Sequence, residues 1–357
     1  MADLNDTTMD GPGATGGAIG VRPTLGLIAA EAGVSATTVS LVLNGRAARH
    51  RISDQTRDRV VQAAKRLDYV PNDLARALRA RKTGAVGVLF PHLRNDWAHE
   101  IMEGVSSVLD AEGIVALIVS HGGDPEREQA ELTSLMQRRV DGIICNPLAD
   151  GAERYRRVIR RRVPIVFLSD TVRELADQSY SAWDPTAVEQ PIGHLIACGR
   201  RKLAYLDFED DRVITTRRLE VYRALLAREG IAVREDWVIR VPRGEAVGEW
   251  VTRVFGRGDR PDGLFSLYDD VAIDAIDALE GIGLSVPGDV AVSATGNSKL
   301  AGPRGYGLTR MEAPVREEGA AAARALLRVI REPGCGAVQE LVGGGEMRVC
   351  RTTGGES

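Results

Sequence analysis

The sequence predicts a small all-α helix-turn-helix unit at its N-terminus and, behind it, a two-lobed α/β unit built on doubly wound parallel sheets. In residues 24–67, apolar positions recur at helical spacing, and Gly33 and Gly45 interrupt them. From Ala85 onward, short β-rich segments alternate with amphipathic helices, which is typical of parallel sheets. That second stretch of about 270 residues suits two lobes better than one.

The helices of the first unit have recognisable start and stop signals. Thr24 is placed to cap a first helix, and Ser35 a second helix that ends at Asn44. A third helix is predicted from Ser53 to about Tyr69. Two short helices joined by a tight glycine-containing turn form a helix-turn-helix unit.

The chain divides into four predicted regions. Residues 1–22 are rich in Gly, Asp, Asn and Thr, so we expect a disordered tail. Residues 23–70 form the helix-turn-helix unit, residues 71–83 a short hinge helix and linker, and residues 84–357 the α/β unit. Strands of the α/β unit are predicted at 85–90, 115–119, 142–146, 164–168, 202–206, 263–267 and 290–293; helices are predicted at 97–112, 127–138, 187–198, 217–229, 270–281 and 315–331.

The net charge of −4 conceals an asymmetry. Between Arg22 and Lys82 there are 12 Lys/Arg against 5 Asp/Glu, a net charge of +7, which leaves −11 for the rest of the chain. A basic first unit on an acidic second unit favours a protein that binds duplex DNA, although a basic solvated surface has the same signature.

Several classes of protein are disfavoured. The apolar segments are too short to cross a bilayer and the first residues lack the pattern of a signal peptide, so we expect a cytoplasmic protein without a membrane partner. The four cysteines and five histidines show no metal-ligand spacing, and the sequence contains no G-x-S-x-G, H-E-x-x-H or P-loop motif. We therefore expect neither an enzyme nor a metal or other cofactor.

The second helix has the chemistry of a helix that reads the major groove. The side chains expected to face outward are small or polar, as contact with base edges requires. Hydroxyl groups can donate to phosphates or bases, whereas Ala and Leu make apolar contact with a thymine methyl group. A helical bundle that packs on another protein remains the alternative. The candidate DNA-contacting residues of this unit are Thr24, Ser35, Ala36, Thr37, Ser40, Leu41 and Asn44.

Three motifs in order strengthen this interpretation: AGVSATTVSLVLNG at 32–45, ISDQTRDRV at 52–60 and LDYVPNDLARAL at 67–78. With them the chain resembles the lactose-repressor/galactose-repressor (LacI/GalR) family of bacterial regulators over nearly all of its length after residue 22. The resemblance implies a repressor that binds a pseudo-palindromic operator as a homodimer. A small-molecule effector, sugar-like and held between the lobes, would control it. A small-molecule-binding protein with weak or lost DNA binding is the alternative.

The resemblance also assigns a role to the hinge. In the family, paired hinge helices enter the minor groove and wedge leucines between base pairs, which kinks the duplex. Here the wedge would be Leu78, with Ala75 beside it and Arg79 near the groove edge. One departure concerns Leu41, since the family usually carries Arg or His there. Leu41 cannot donate a hydrogen bond to guanine, so we expect a different base at that operator position.

The second unit resembles the family's effector domain, which is itself similar to periplasmic sugar-binding proteins. The likeness places the first lobe at about 84–181 plus 310–334, with three crossings between lobes. It implies an effector site formed by Asn95, Trp97, Arg218, Tyr268, Asp269 and Asn297.

Some of these assignments carry alternatives. Trp97 is equally well explained by ligand stacking and by core packing. Arg217 is an alternative to Arg218. At Tyr268, Asn297 and Ser169 the family usually has other residues. Asp170 follows Ser169 directly.

Overall fold

A computed structural model describes residues 23–69, 83–93, 96–209, 212–242 and 244–355. The chain divides into two compact units, Met1–Arg79 and Ala80–Ser357. The predicted tail lies outside the described residues, and so does the predicted hinge except for Thr83.

The described part of the first unit, residues 23–69, contains three α-helices: α1 (Leu25–Ala32), α2 (Ala36–Leu43) and α3 (Asp54–Arg66). Each helix begins at a hydroxyl side chain that accepts a backbone N–H of the first turn, and this confirms the predicted starts. The capping residues are Thr24, Ser35 and Ser53. Helix α3 ends three residues before the predicted end at Tyr69, because Asp68 has a φ of 48° that no helix can continue.

The core of the first unit is small and apolar. Ile28, Val39 and Val60, one from each helix, are fully buried against one another. An ion pair of 2.6 Å between Glu31 and Arg66 joins α1 to α3 at the surface.

Among the described residues, no single helix has the length and composition to cross a membrane; α1 and α2 pass that test only as a pair bent by 102°.

The second unit contains two six-stranded sheets. The first sheet has the order β11-β5-β4-β3-β1-β2 and is parallel throughout. Its strands are β1 (Ala85–Phe90), β2 (Val115–Ser120), β3 (Gly142–Cys145), β4 (Ile165–Leu168), β5 (Tyr180–Trp183) and β11 (Gln339–Val342). The second sheet has the order β12-β10-β9-β8-β6-β7, and only its β12 is antiparallel. Its strands are β6 (Leu203–Phe208), β7 (Val238–Val241), β8 (Gly263–Ser266), β9 (Ala291–Thr295), β10 (Thr309–Glu312) and β12 (Glu346–Arg348).

Helices cover both faces of each sheet, and the buried apolar clusters lie between helix and sheet. The helices of the second unit are α4 (Asp96–Leu109), α5 (Pro125–Gln137), α6 (Ala152–Arg160), α7 (Glu189–Ala197), α8 (Val213–Arg228), α9 (Val247–Phe255), α10 (Asp269–Gly281) and α11 (Val315–Arg331). All seven predicted strands and six predicted helices are present, so the doubly wound architecture is confirmed. The strands that the sequence did not predict are β5, β7, β10, β11 and β12.

The chain crosses between lobes after β5, after β10 and after β11, which agrees with three expected crossings. The expected lobe boundary near the C-terminus was wrong in two places. Strand β10 belongs to the second sheet, and β11 belongs to the first. Helix α11 does pack on α4 of the first lobe, as expected. The last two crossings lie close together in the chain: the segment between them contains only α11 and β11 and returns to the first lobe after β10.

Candidate DNA-binding and effector sites

The outer surface of α2 has the expected composition. Val39 and Val42 are buried in the core of the first unit, which fixes the rotation of the helix. On the other side, Ala36, Thr37 and Asn44 are exposed, and Ser40 and Leu41 are half-buried. The five outward-facing residues predicted for this helix therefore lie away from the buried side.

Three of the candidate polar side chains also have a structural role. The Thr24 and Ser35 hydroxyl groups cap their helices, at 3.3 and 3.1 Å from the amides that they accept. The Asn44 side-chain amide donates to the Ser40 carbonyl oxygen at 2.6 Å. Thr37 makes no side-chain hydrogen bond to any described residue, so its hydroxyl is available for an external partner.

The segment between α2 and α3 supplies part of the positive charge that lies between Arg22 and Lys82. Arg46, Arg49 and Arg51 all lie in this short connection and are exposed. Arginines in a loop after a groove-reading helix are suited to phosphate contacts, which orient a protein on duplex DNA. The three hinge candidates Ala75, Leu78 and Arg79 lie outside the described residues, as does the effector candidate Asn95.

The second unit has a polar region where the carboxyl ends of its two sheets face each other. Asp269 is the first residue of α10, shortly after β8, and is 7% exposed. Its carboxylate accepts the backbone amides of Ser298 at 2.7 Å and Asp270 at 2.9 Å. Burial raises the pKa of Asp269 to about 6, against the lowering effect of those hydrogen bonds.

The absence of a side chain at Gly296 leaves space for the Asp269 carboxylate. A Cβ atom at Gly296 would lie 2.2 Å from the Asp269 side-chain carboxyl carbon, and the residue has a φ of +145°. Both features require glycine. The loop after β9 therefore carries glycine because the carboxylate needs the space.

Arg212 contacts residues of both lobes, one of which is Tyr268. Arg212 donates to the Tyr268 hydroxyl at 2.8 Å, and the Tyr268 ring is 6.0 Å from that of Phe208. The Arg212 Nε lies 3.7 Å from the Asp170 carboxylate of the first lobe. Tyr268 and Arg212 thus form part of the boundary between the lobes.

Asp170 lies at the same boundary, although the sequence did not suggest it as an effector-site residue. It directly follows Ser169 after β4 and is 2% exposed. Its carboxylate accepts the amide of Thr171 at 2.7 Å and that of Ile214 at 3.0 Å. Since Ile214 lies in the first turn of α8, a first-lobe carboxylate caps a second-lobe helix.

Arg217 and Arg218 differ in burial. Arg217 is exposed, whereas Arg218 is 9% exposed and its guanidinium lies 5.2 Å from the centre of the Trp183 ring. Trp183 in turn donates from Nε1 to the carbonyl oxygen of Gly344 at 3.1 Å. Arg218 therefore faces the lobe boundary on an oriented aromatic ring.

Trp97 and Asn297 have intramolecular partners. The Trp97 ring packs edge-on against Phe90, with centroids 5.7 Å apart, at the margin of the first-lobe core. Core packing thus accounts for much of this half-buried side chain. Asn297 donates to the Glu100 carboxylate at 2.9 Å and to the Ala313 carbonyl oxygen at 3.0 Å, and its own oxygen accepts the Ala313 amide. Asn297 links the lobes in this conformation.

Comparison with known proteins identifies the chain. Residues 24–72 match the family described as bacterial regulatory proteins, lacI family, and residues 192–345 match the periplasmic binding protein-like domain. The order of the two domains is that of a DNA-binding head followed by an effector domain. The chain belongs to the LacI family. This LacI-family protein is a DNA-binding transcriptional regulator with an effector-binding domain.

Named relatives span nearly the whole chain. The ribose operon repressor of Haemophilus influenzae is 28% identical over 311 residues, which are 86% of this chain and 91% of the relative. Catabolite control protein A of Priestia megaterium is 25% identical over 307 residues, 85% of this chain and 92% of the relative.

Solved structures agree. A complex of the transcriptional regulator CelR with cellobiose has a TM-score of 0.68 and 25% identity, covering 93% of this chain and all of that one. The lac repressor dimer bound to operator and the anti-inducer ONPF has a TM-score of 0.79 at 24% identity, covering 93% of this chain and 99% of that one. The latter likeness concerns the fold.

Proposed function

We propose that this LacI-family protein is a repressor that binds a pseudo-palindromic operator as a homodimer, and that a small polar effector in the interlobe region controls its affinity for DNA. Each first unit would read one half-site with α2 in the major groove. Because effector and DNA would favour different arrangements of the lobes, each would change the affinity for the other by the same factor.

The observation that carries the DNA-binding role is the surface of α2. Val39 and Val42 are buried in the core, and the outer side of the helix presents Ala36, Thr37, Ser40, Leu41 and Asn44. Arg46, Arg49 and Arg51 follow at once on the adjoining loop. Small side chains at the groove and arginines at its edge are the combination that base contact and phosphate contact require.

Within this proposal Thr37 and Leu41 are the residues of α2 that contact bases, and Thr24, Ser35 and Asn44 position the helix as well as approach the phosphates. The hinge residues Ala75, Leu78 and Arg79 would wedge into the minor groove, as the family resemblance implies.

The effector role is supported by the boundary between the lobes. Tyr268, Asp269 and Arg218 lie on its second-lobe side, and Asp170 lies on the first-lobe side. Asn95, Trp97 and Asn297 remain proposed members of this site. The named relatives include a ribose operon repressor and a regulator solved with cellobiose, which supports a sugar-like effector for this chain also. We further propose that the protein acts by binding, without catalysis and without a cofactor, in the cytoplasm at the nucleoid.

Binding of the full-length protein to the DNA upstream of its own gene tests the proposal. Fluorescence anisotropy would be recorded at two salt concentrations, with unrelated duplex as competitor. We expect tight binding that survives the competitor. Weak, strongly salt-dependent binding without sequence preference would mean phosphate contacts alone and would favour a ligand-binding protein with lost DNA recognition.

A matched pair of variants locates the contact. Thr37→Ala removes an outward hydroxyl from α2, and we expect it to weaken specific binding about tenfold with little effect on unrelated DNA. Gln62→Ala changes an exposed polar residue on α3 and serves as the control. Equal effects of the two substitutions would argue against α2 as the groove-reading helix.

A further inference from the structure

Several buried polar atoms without a hydrogen-bond partner lie together at the boundary between the lobes. Among the described residues, such atoms include the Thr215 Oγ1, the Arg218 Nε and the Glu318 Oε1. Thr215 and Arg218 are three positions apart on α8 of the second lobe, so they share one helix face. Glu318 lies on α11 of the first lobe, and the Arg218 charge acts on its carboxyl group.

The three side chains are well enclosed. Thr215 is 2% exposed, Glu318 is 3% exposed and Arg218 is 9% exposed. Native proteins satisfy nearly all buried polar atoms, so a group of unsatisfied ones at a single place indicates a site for a polar ligand. Of these three residues, the sequence suggested only Arg218.

The orientation of both charged groups is fixed by neighbouring contacts. The Arg218 guanidinium rests on the Trp183 ring, which is itself held by the Gly344 carbonyl oxygen. The backbone of Glu318 is held at its carbonyl oxygen by the Ser181 hydroxyl at 3.0 Å. The Ser169 hydroxyl and amide lie close enough to the Glu318 carboxyl group to lower its pKa, although burial raises it overall.

The two groups have opposite hydrogen-bonding character. A guanidinium only donates, and an ionised carboxylate only accepts. A ligand hydroxyl group does both, so one hydroxyl can accept from Arg218 and donate to Glu318. A ligand carboxylate can satisfy Arg218 but would stand against the Glu318 carboxylate and against Asp170, whose charge also acts on Glu318.

We propose that Glu318 is a specificity-determining residue of the effector site: together with Arg218 it selects an uncharged polyhydroxy ligand, and it rejects ligands that carry a carboxylate at that position. The proposal deepens the proposed effector function and rests on it. The bridging hydroxyl would join α11 of the first lobe to α8 of the second, and so would stabilise the arrangement in which the lobes are close.

Titration calorimetry on the full-length protein at pH 8, where Glu318 is largely ionised because its pKa is about 7, tests the selection with pairs of compounds that differ by one oxidised carbon: ribose and ribonate, glucose and gluconate, cellobiose and cellobionate. For the wild-type protein we expect at least one neutral compound to bind and its acid to bind at least tenfold more weakly. Glu318→Gln keeps the shape of the side chain and removes its charge. In this variant we expect the affinity for the neutral compound to fall about tenfold. The ratio between the affinities for the neutral compound and for its acid should also decrease.

Glu317→Gln is the matched control, because Glu317 is the preceding residue of α11, is exposed and pairs with Arg324 at the surface. We expect it to bind like the wild type. Equal binding of neutral and acidic compounds by the wild type, or unchanged selectivity in Glu318→Gln, would overturn the inference. Failure of every compound to bind would also overturn it, while operator binding, measured separately, would still decide the DNA-binding role.

Discussion

The carboxylate of Asp170 in the first lobe accepts the backbone amide of Ile214, in the first turn of α8 in the second lobe, at 3.0 Å. This contact joins the carboxyl end of β4 to the helix that carries Arg218. A change in the separation of the lobes therefore acts directly on the cap of that helix.

Removal of this cap should destabilise the second unit. In Asp170→Ala the amides of Thr171 and Ile214 lose a buried acceptor, and we expect the free energy of unfolding to fall by roughly 2 kcal/mol. Urea denaturation measures the change. Asp177→Ala, at an exposed first-lobe position, is the control and should have little effect. Identical curves for the two variants would show that the contact contributes nothing to stability.

Burial of Glu318 should make stability depend on pH. Burial raises its pKa in the folded protein to about 7, above the value of 4.5 for an unperturbed side chain. The folded state therefore holds the proton more tightly than the unfolded state. The contribution of Glu318 protonation to the free energy of unfolding is favourable below about pH 4.5, declines as the pH rises and is lost above about pH 7.

The Glu318→Gln variant isolates this contribution, because its side chain does not ionise. As the pH rises from 5 to 8, we expect the free energy of unfolding of the variant to increase relative to that of the wild type, by up to roughly 3 kcal/mol. Denaturant unfolding across that range gives the difference, with Glu317→Gln as the exposed control. Asp269 adds a dependence of the same sign to both proteins, since burial raises its pKa to about 6. A difference between wild type and Glu318→Gln that does not change with pH would contradict the assignment.

Neighbouring residues of α2 separate folding from DNA contact. Ser35 caps the helix, so Ser35→Ala should destabilise the first unit by about 1 kcal/mol and weaken DNA binding as a consequence. Thr37→Ala should weaken DNA binding without a comparable loss of stability. Thermal unfolding of both variants, followed by anisotropy at a temperature where both are folded, gives the comparison. A loss of stability in Thr37→Ala as large as that in Ser35→Ala would assign Thr37 a structural role.

Leu41 should determine one position of the operator. Its apolar side chain favours a thymine methyl group, whereas an arginine at the same place can donate twice to guanine. We expect selection of binding sites from random duplexes to yield a different base at one symmetric pair of positions for Leu41→Arg than for the wild type. Leu27→Arg adds the same charge at an exposed apolar residue of α1 and is the control. The same preferred sequence for wild type and Leu41→Arg would contradict base contact by this residue.

Local signals in the sequence determined the first unit and the alternation of the second. The hydroxyl residues Thr24, Ser35 and Ser53 mark helix starts, because each side chain accepts a backbone amide of the first turn that has no acceptor within the helix. Buried parallel strands such as β1 and β3 are continuous apolar segments, and they can be recognised without knowledge of their neighbours. The motifs around Gly33 and Pro71 supplied the family resemblance.

Tertiary structure decided which sheet each late strand joins and which polar residues meet. Strand β11 has exposed side chains and lies at the edge of its sheet, so its membership depends on pairing with β5 and not on its own pattern. Asp170, Arg218 and Glu318 lie on three elements separated by up to about 150 residues, and no spacing in the sequence links them. Their proximity follows from three crossings between the lobes, because chain entropy makes long-range contacts depend on the whole fold and not on local preference.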